Sequence, residues 1–380
     1  MKKIRLVTVI GARPQFVKAV VVSRELARQE QIREILVHTG QHYDYEMSAV
    51  FFKELGLRAP QYNLEVGSKP HGEQTAEILA KLERILLKEK PAGVIVYGDT
   101  NSTLAGALCA SKLHIPVAHV EAGLRSWNRR MPEEINRVVA DHLADILFCP
   151  TATAVRNLEA EGIQRGVFNV GDVMLDAALF FGNDGAAKKA PLASGVLQRY
   201  GLAAKGYFLI TIHRAENTDD PDRLHQLLEL LIELRAPAIF PMHPRLGKLL
   251  STSRGLRKIR LQLQARPDLQ VVQPVSYLEM LALEKNARAI ITDSGGVQKE
   301  AFFLRVPCIT LRQETEWIET LANGFNALVG ADKKKFLQAI SRLDKIRTRL
   351  AEQKKPEGFA LFGGGKAGAR IAQILARAWK

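Results

Sequence analysis

The chain is poor in cysteine, with only three in 380 residues. These three, Cys109, Cys149 and Cys308, are far apart, and each lies in an apolar segment. A disulfide framework needs several cysteines in a short chain, and a structural zinc site needs cysteine and histidine in short clusters. Neither is therefore predicted, and we expect the cysteines to fill the core.

Long apolar runs are also absent from the sequence. No segment approaches the roughly 20 apolar residues that a membrane-spanning helix requires. The chain starts with MKKIR and continues directly into a predicted strand, whereas a signal peptide would continue into an apolar core. We therefore expect a cytoplasmic protein that does not insert into membranes.

Acidic residues are the scarcer charged class, with 40 Asp and Glu against 54 Lys and Arg, and the net charge is +14. Such an excess could indicate a nucleic acid, a membrane surface or a polyanionic small molecule as partner. Much of it lies in clusters without interleaved aromatic residues or a known nucleic-acid-binding motif: 188–189, 254–260, 333–335 and 345–355. We interpret these clusters as solvated faces and expect no nucleic-acid partner.

What the sequence does contain is a regular alternation of apolar strand patterns and amphipathic helix patterns. This alternation is typical of an α/β fold with doubly wound sheets. A chain of 380 residues is too long for one ordinary core, so two domains are predicted. We expect a first domain over 1–181, a linker near 182–191 and a second domain over 192–366. A final helix over 367–380 is expected to pack back onto the first domain.

Acidic side chains follow two predicted strands of the first half, at the point where each strand ends. Asp99 comes after the strand at 93–97, and Glu121 comes after the strand at 115–120. Ligands bind at the carboxyl ends of strands in open parallel sheets. We therefore expect both acids in a site, although Asp99 could also be only a helix cap.

The segment after Glu121 predicts a helix that begins with charged residues. Pro132 fits the first helical turn, Glu133 and Glu134 lie near its positive end, and Arg137 follows one turn later. Acids close to guanidinium groups suit an anionic ligand on which a proton must also move. A charged surface loop is an equally good interpretation of this segment alone.

Two turns between a strand and a helix predict phosphate contacts, although neither a Walker loop nor a full GxGxxG motif is present. The first turn, at 11–15, precedes a helix whose amides point at it, and Arg13 and Lys18 can add charge-assisted contacts. This turn is a weak signal when it is taken alone.

The second turn follows a predicted strand at 289–292 and is the most specific stretch of the second half. Here Ser294 precedes Gly295 and Gly296, which allow a pyrophosphate to approach the backbone at a helix start. Glu300 is well placed to bind sugar hydroxyls. The pattern is common for a nucleoside diphosphate.

A third strand end in the second half carries His213 and Arg214. The histidine could carry a proton or could be a hydrogen-bonded structural group. Taken alone, the pattern favours the structural interpretation.

Eight motifs run across nearly the whole chain in this order: GARPQFVK, TGQH, YGDTNST, HVEAGLR, PEEINR, VGDVMLDA, IHRAEN and TDSGGVQKEA. This set resembles the non-hydrolysing UDP-N-acetylglucosamine 2-epimerase family. The resemblance implies two Rossmann-like domains of the glycosyltransferase-B type that face each other across a deep cleft. It also implies a homodimer that needs no metal, nicotinamide or other cofactor.

The resemblance further implies a reaction on a UDP-sugar. A base removes the proton on C2 while the bond from C1 to UDP breaks, and UDP then adds back to the glycal with a proton returned to the other face of C2. By the same resemblance, the catalytic residues are Asp99, Glu121, Glu133 and His213. The implied UDP-binding residues are Arg13, Lys18, Arg137, Arg214, Ser294, Gly295, Gly296, Glu300 and Arg312. The sequence does not assign the base and the acid.

Two departures from the family pattern point to one branch of it. Gln15 and Phe16 replace residues of the common RPEAIK run, and Trp317 stands where TTERPE has an arginine that helps to hold the diphosphate. We expect Arg312 to serve in place of that arginine. Both changes resemble the branch that epimerises UDP-2,3-diacetamido-2,3-dideoxyglucuronate, a precursor for surface polysaccharide.

A UDP-sugar glycosyltransferase is the alternative from a second functional class, because it shares the two-domain fold and the glycine-rich nucleotide site. It would need an acceptor cleft, and it would not need three acids facing one sugar carbon. A hydrolysing 2-epimerase, which releases free N-acetylmannosamine and UDP, is the nearer alternative. The sequence also leaves open whether UDP-N-acetylglucosamine or its 2,3-diacetamido uronate derivative is the substrate.

Overall fold

The structure is a computed structural model, and it describes residues 3–41, 52, 54–182, 195–253, 255–352 and 357–379. The chain divides into two compact units: Met1–Leu179 with Phe359–Lys380, and Phe180–Gly358. The second unit ends before the boundary expected at residue 366, because residues 359–366 join the first unit. Most of the expected linker lies outside the described residues.

The first unit is built on a seven-stranded sheet with parallel pairing throughout. Its strands are β1 (Ile4–Ile10), β2 (Ile32–His38), β3 (Tyr62–Asn63), β4 (Gly93–Tyr97), β5 (Val117–Val120), β6 (Ile146–Cys149) and β7 (Val167–Asn169). Their order is β3-β2-β1-β4-β5-β6-β7, so the winding reverses between β1 and β4. Ligands bind at such reversal points, beside the carboxyl ends of the strands.

Helices alternate with these strands along the chain. They are α1 (Arg13–Ala27), α2 (His71–Glu89), α3 (Asn101–Lys112), α4 (Pro132–Leu143), α5 (Ala152–Ala160) and α6 (Val173–Gly182). In α2 the buried Ile78, Leu82, Ile85 and Leu86 recur at helical spacing, which gives the helix one apolar face. Helix α3 begins after Thr100, whose hydroxyl accepts the Thr103 N–H.

The second unit repeats the plan with a six-stranded parallel sheet. Its strands are β8 (Phe208–Thr211), β9 (Ala238–Pro241), β10 (Leu269–Val272), β11 (Ala289–Thr292), β12 (Cys308–Thr310) and β13 (Asn326–Leu328). The order is β10-β9-β8-β11-β12-β13, so the reversal lies between β8 and β11.

Helices also alternate with the strands of the second unit. They are α7 (Val196–Arg199), α8 (Ala215–Thr218), α9 (Pro221–Glu233), α10 (Pro244–Thr252), α11 (Arg257–Gln264), α12 (Tyr277–Asn286), α13 (Gly295–Phe303) and α14 (Lys333–Glu352), with a 3-10 helix at Ile318–Gly324. Four leucines of α9, Leu224, Leu227, Leu228 and Leu231, are fully buried in an apolar cluster of this unit. Helix α13 starts directly after β11, at the reversal of the sheet.

The last two helices, α15 (Glu357–Leu361) and α16 (Ala367–Ala378), end the chain. Helix α16 packs against α1 in the first unit. Asp176 accepts the backbone N–H groups of Ala367 (3.1 Å) and Gly368 (2.8 Å), and so caps the start of α16. Burial outweighs these hydrogen bonds and raises the pKa of the Asp176 carboxyl to about 6.

The three cysteines are buried and free. Burial raises the pKa of the Cys109 thiol to about 11 and that of Cys308 to about 12. Thiols with raised pKa values are poor nucleophiles at neutral pH, so these side chains act as core residues.

No helix in the part of the chain that the structure describes is both long and apolar enough to cross a membrane.

Candidate active site

The turn after β1 is held by Gln15, one of the two early departures from the family pattern. Its side-chain oxygen accepts the N–H groups of Gly11 (2.8 Å) and Ala12 (3.1 Å). Its amide nitrogen donates to the Tyr97 carbonyl at the end of β4 (2.9 Å). Gln15 therefore ties together the two strand ends at the winding reversal. Arg13 is partly exposed at the start of α1.

Glu121 and Lys18 form a buried ion pair at this edge of the first sheet. The Lys18 Nζ lies 2.5 Å from Glu121 Oε1, and both side chains are less than a tenth exposed. Lys18 comes from α1, and Glu121 follows β5 directly. A charge-assisted hydrogen bond of this length fixes the carboxylate in one position.

Gly98 makes room for this ion pair. A Cβ atom at Gly98 would lie 3.0 Å from Lys18 Nζ and 3.6 Å from Glu121 Oε1, and the residue has φ of +64°. Glu121 itself has a backbone φ of +74°. Residues other than glycine rarely adopt this angle, and it costs on the order of 1–3 kcal/mol. The turn that presents Glu121 is therefore strained, and its neighbours must hold it.

Asp99 and Arg137 form a second ion pair at the same edge. Arg137 Nη2 lies 2.5 Å from Asp99 Oδ2, and its Nη1 lies 3.1 Å from Glu134 Oε2. The Arg137 side chain is almost fully buried, whereas that of Asp99 is 29% exposed. Asp99 is thus the more accessible partner.

The two adjacent acids at the start of α4 have different environments. Glu134 is buried and also accepts the Ser126 hydroxyl (2.9 Å) and the Trp127 N–H (2.9 Å), so it holds the preceding loop. Glu133, the acid implied by the resemblance, is partly exposed. The structural importance of Glu134 was not expected, because both acids fit the same helix start in the sequence.

In the second unit, the turn after β8 is clamped by Asp293, a residue to which the sequence assigned no role. Its carboxylate accepts the backbone N–H groups of His213 (3.1 Å) and Arg214 (3.0 Å) and the side-chain amide of Asn217 (3.1 Å). Asp293 is fully buried, whereas the His213 side chain is 36% exposed. This clamp leaves the imidazole of His213 accessible at the strand end, 5.6 Å between ring centroids from His243.

The N-terminus of α13 contains Ser294, Gly295 and Gly296, as expected from the sequence. The Ser294 hydroxyl accepts the Val297 N–H and caps the helix. Gly295 is confined, because a Cβ there would lie 2.5 Å from Glu316 Oε1, whereas at Gly296 the nearest atom would be 3.8 Å away. Gly296 is exposed, so its side of the helix end is open to an anion.

Arg312 is buried behind that helix end. Its guanidinium lies 2.9 Å from Glu316 Oε2 and 3.2 Å from Glu216 Oε1. The Glu316 carboxylate also lies 3.4 Å from Arg214 Nη2, and the Arg214 side chain is 17% exposed. Of the two arginines expected to bind UDP here, Arg214 is the accessible one, and Arg312 holds Glu316 in place.

Trp317 and Glu300 are also buried in this part of the second unit. The Lys299 ammonium lies 3.7 Å from the centroid of the Trp317 ring, a cation–π contact. The position where the family pattern has an arginine therefore carries an indole with a lysine against it. Glu300 follows Lys299 on α13, in the second turn of the helix.

Among the residues that the structure describes, no group of three or more His, Cys, Asp or Glu side chains could hold a metal ion.

Comparison with known sequences gives the chain a family. The family model described as UDP-N-acetylglucosamine 2-epimerase matches residues 24–376. The chain belongs to the UDP-N-acetylglucosamine 2-epimerase family. The UDP-N-acetylglucosamine 2-epimerase homolog of Methanococcus maripaludis is 50% identical to it over 372 residues, which are 98% of this chain and 99% of that protein.

Two further relatives of this epimerase family member bear on its substrate and fold. The UDP-2,3-diacetamido-2,3-dideoxy-D-glucuronate 2-epimerase of Pseudomonas aeruginosa is 48% identical, over 98% of this chain and 99% of that protein. The crystal structure of the Methanocaldococcus jannaschii UDP-GlcNAc 2-epimerase in complex with UDP-GlcNAc and UDP is similar with a TM-score of 0.85. It is 44% identical and covers 99% of each chain.

These similarities confirm the family resemblance drawn from the motifs and the predicted α/β fold class with two doubly wound Rossmann-like domains of the glycosyltransferase-B type. They also make the protein an epimerase, an enzyme of the isomerase class. The roles of individual residues and the homodimer stay predictions.

Proposed function

We propose that this family member is a non-hydrolysing UDP-sugar 2-epimerase that inverts C2 of a UDP-N-acetylglucosamine-type sugar. The observation that carries the proposal is the pair of acids at the carboxyl edge of the first sheet. Glu121 is fixed by Lys18 at 2.5 Å, and Asp99 is fixed by Arg137 at 2.5 Å. Two carboxyl groups held in fixed positions suit a reaction that removes one proton and returns another.

The proposed reaction has two balanced steps. A carboxylate takes the proton from C2, the electrons of that bond form the C1–C2 double bond of a glycal, and the C1–O bond breaks so that UDP leaves with its electron pair. UDP then adds back to C1 while an acid protonates C2 from the other face. Glu121, Asp99 and Glu133 are the proposed proton carriers in the first unit, and His213 is the fourth catalytic residue.

UDP is the leaving group and must be stabilised as an anion. The N-terminus of α13 offers backbone N–H groups beside Gly295 and Gly296, and Arg214 is a partly exposed cation there. We assign the diphosphate to this helix end, with Glu300 on the nucleoside sugar. Arg13, Lys18 and Arg137 in the first unit are the further UDP-sugar contacts implied by the resemblance, with Arg312 acting from behind Glu316.

The names of the relatives suggest two candidate substrates. The Pseudomonas aeruginosa relative is named for UDP-2,3-diacetamido-2,3-dideoxy-D-glucuronate, and the Methanocaldococcus jannaschii relative for UDP-GlcNAc. Gln15 and Trp317 resemble the first branch, so we propose the 2,3-diacetamido uronate as the substrate, for surface polysaccharide synthesis.

Proton NMR in deuterium oxide tests both the reaction and the substrate. The purified protein is given UDP-N-acetylglucosamine in one tube and the 2,3-diacetamido uronate derivative in another. Deuterium at C2 with a manno product only in the second tube is the expected result, and the same signal in the first tube would broaden the substrate range. Free sugar and UDP would instead indicate a hydrolysing enzyme, and no exchange in either tube would favour a glycosyltransferase.

We also propose a homodimer, as the family resemblance implies. Light scattering on the eluting protein measures its mass in solution. The expected mass is twice the 42.2 kDa of one chain, and a mass of one chain would contradict the proposal.

A further inference from the structure

His119 lies two residues before Glu121 and is fully buried, yet the proposed reaction does not use it. Its Nδ1 lies 2.7 Å from Asp141 Oδ1, and its Nε2 lies 2.7 Å from the Gly98 carbonyl oxygen. A carbonyl and a carboxylate can only accept hydrogen bonds, so each ring nitrogen needs a proton. The arrangement is satisfied by the doubly protonated imidazolium.

Asp141 is the acceptor at the centre of a buried charge network. Besides His119, its carboxylate accepts Arg125 Nη1 (2.7 Å) and the Gly123 N–H (3.0 Å). Burial is the largest single influence and raises the pKa of the Asp141 carboxyl, but the charges and hydrogen bonds of His119 and Arg125 together outweigh it and keep that pKa lowered. Arg125 in turn pairs with Glu161 through two hydrogen bonds of 2.6 and 2.7 Å. Charges of opposite sign therefore alternate along the network.

The network binds residues on both sides of Glu121 in the chain. His119 precedes that residue and Gly123 follows it, and both are tied to the single carboxylate of Asp141. Glu121 lies between these two anchors with φ of +74°. A buried ionic network with many contacts can hold a strained turn that apolar packing alone would release.

The other end of the imidazole reaches the second candidate acid. The carbonyl that accepts His119 Nε2 belongs to Gly98, and Asp99 is the next residue. One histidine therefore contacts the backbone beside Asp99 and itself lies two residues before Glu121. The two acids follow the neighbouring strands β4 and β5.

We propose that Asp141 and the imidazolium of His119 are positioning residues that set the relative placement of Glu121 and Asp99 for proton transfer. This inference rests on the proposed epimerase function. Proton transfer depends steeply on distance, and a misplacement of about 1 Å can lower a rate on the order of 100-fold. Binding of UDP alone should not depend on this placement.

The test compares Asp141→Asn and His119→Gln with the native protein. Each variant should lower the rate of C2 hydrogen exchange in the folded protein about 10-fold to 100-fold, while the UDP dissociation constant changes little. The unfolding midpoint should fall as well, because buried polar groups lose hydrogen-bond partners in each variant. A control is Glu34→Gln, which alters a half-buried acid of the first unit whose partners are the hydroxyls of Thr8 and Ser23. That control should keep the native exchange rate.

Nitrogen-15 NMR of histidine-labelled protein gives a readout that needs no substrate. The native protein should show both ring N–H groups of His119, and Asp141→Asn should show only the one that donates to Gly98. A single N–H in the native protein, or native exchange rates in both folded variants, would overturn the inference. If the native protein exchanges no C2 hydrogen at all, the proposed function fails instead, and the NMR result still reports on the imidazolium.

Discussion

The two units use carboxylates at their strand ends in opposite ways. In the first unit, Glu121 and Asp99 each face a side-chain cation, and Asp99 is partly exposed. In the second unit, Asp293 is fully buried and accepts backbone and amide N–H groups. The first pair is held by side chains that can respond to a substrate, whereas the second acid is part of the scaffold.

This difference fits a division of chemistry between the units. A carboxyl group that exchanges protons must be able to change its partners when its charge changes. A carboxylate that fixes a turn must keep its partners, because the N–H groups that donate to it would otherwise be left without an acceptor. We therefore propose that the acids that transfer protons lie in the first unit and the helix end that binds the diphosphate lies in the second, where Asp293 holds the turn that carries His213.

Removing the charge of Glu121 should have the largest effect on the reaction. The variant Glu121→Gln keeps an oxygen that can accept from Lys18 but cannot take or give a proton, so kcat should fall by about 1000-fold. UDP affinity, measured by calorimetry, should stay near the native value. Normal turnover by this folded variant would remove Glu121 from the proton carriers, and the same experiment on Asp99→Asn tests the second acid.

Removing the charge of Asp293 should act on stability first. In Asp293→Asn the new amide NH2 group would face N–H donors, so at least one buried donor loses its acceptor. Each donor left without an acceptor should lower the free energy of unfolding by about 1–3 kcal/mol. Urea unfolding should show the loss as a lower midpoint. A variant with native stability and low kcat would instead make Asp293 a direct participant, and the contrast between the units would fail.

The helix end of the second unit offers two neighbouring glycines with different surroundings. Gly295→Ala would push a methyl group to 2.5 Å from Glu316 Oε1, whereas Gly296→Ala meets nothing closer than 3.8 Å. We expect Gly295→Ala to displace Glu316 from Arg312 and Arg214 and to weaken UDP binding about 10-fold, or ~1.4 kcal/mol. The unfolding midpoint should fall in the same variant.

Gly296→Ala is the matched control for that effect. Its stability should stay native, so any loss of UDP affinity would report crowding of the ligand. Equal loss of stability in both variants would show that the packing around Gly295 had been misjudged.

The sequence predicted the fold and the strand ends because both depend on local pattern. Alternating strands and helices, and acids directly after strands, are visible without knowledge of contacts. The ion pairs are not local: Lys18 and Glu121 are 103 positions apart, and Arg137 and Asp99 are 38 apart. Which cation meets which acid depends on the sheet order and on how α1 and α4 pack.

The adjacent acids of α4 show where local reasoning ends. Glu133 and Glu134 fit the helix start equally well, and one of them must point inward. Only the packing of α4 decides that Glu134 is the one that reaches Arg137. The buried roles of Asp141 and Asp293 were missed for the same reason, since an acid inside a predicted helix or after a strand gives no sign of its partners.

The last expected effect is on stability alone and concerns Asp176, a half-buried acid of the first unit outside the site. The pKa of Asp176 is raised to about 6 because burial disfavours its charge. The folded state therefore binds this proton more tightly than the unfolded state does, and the stabilisation is complete below the unfolded pKa, about 3.8. It is lost as the pH rises through the folded pKa of about 6, by up to about 3 kcal/mol.

Urea unfolding of the native protein and of Asp176→Asn at several pH values between 4 and 7 measures this effect, with ~0.5 steps in pH being sufficient. The difference in unfolding free energy between the two proteins should change across the interval and level off only about one pH unit above the folded pKa of about 6. A difference that is constant throughout would mean that the hydrogen bonds from Ala367 and Gly368 fully compensate for burial. Asp176 would then be a scaffold acid of the same kind as Asp293, and both units would contain a carboxylate that is stabilised by backbone N–H groups.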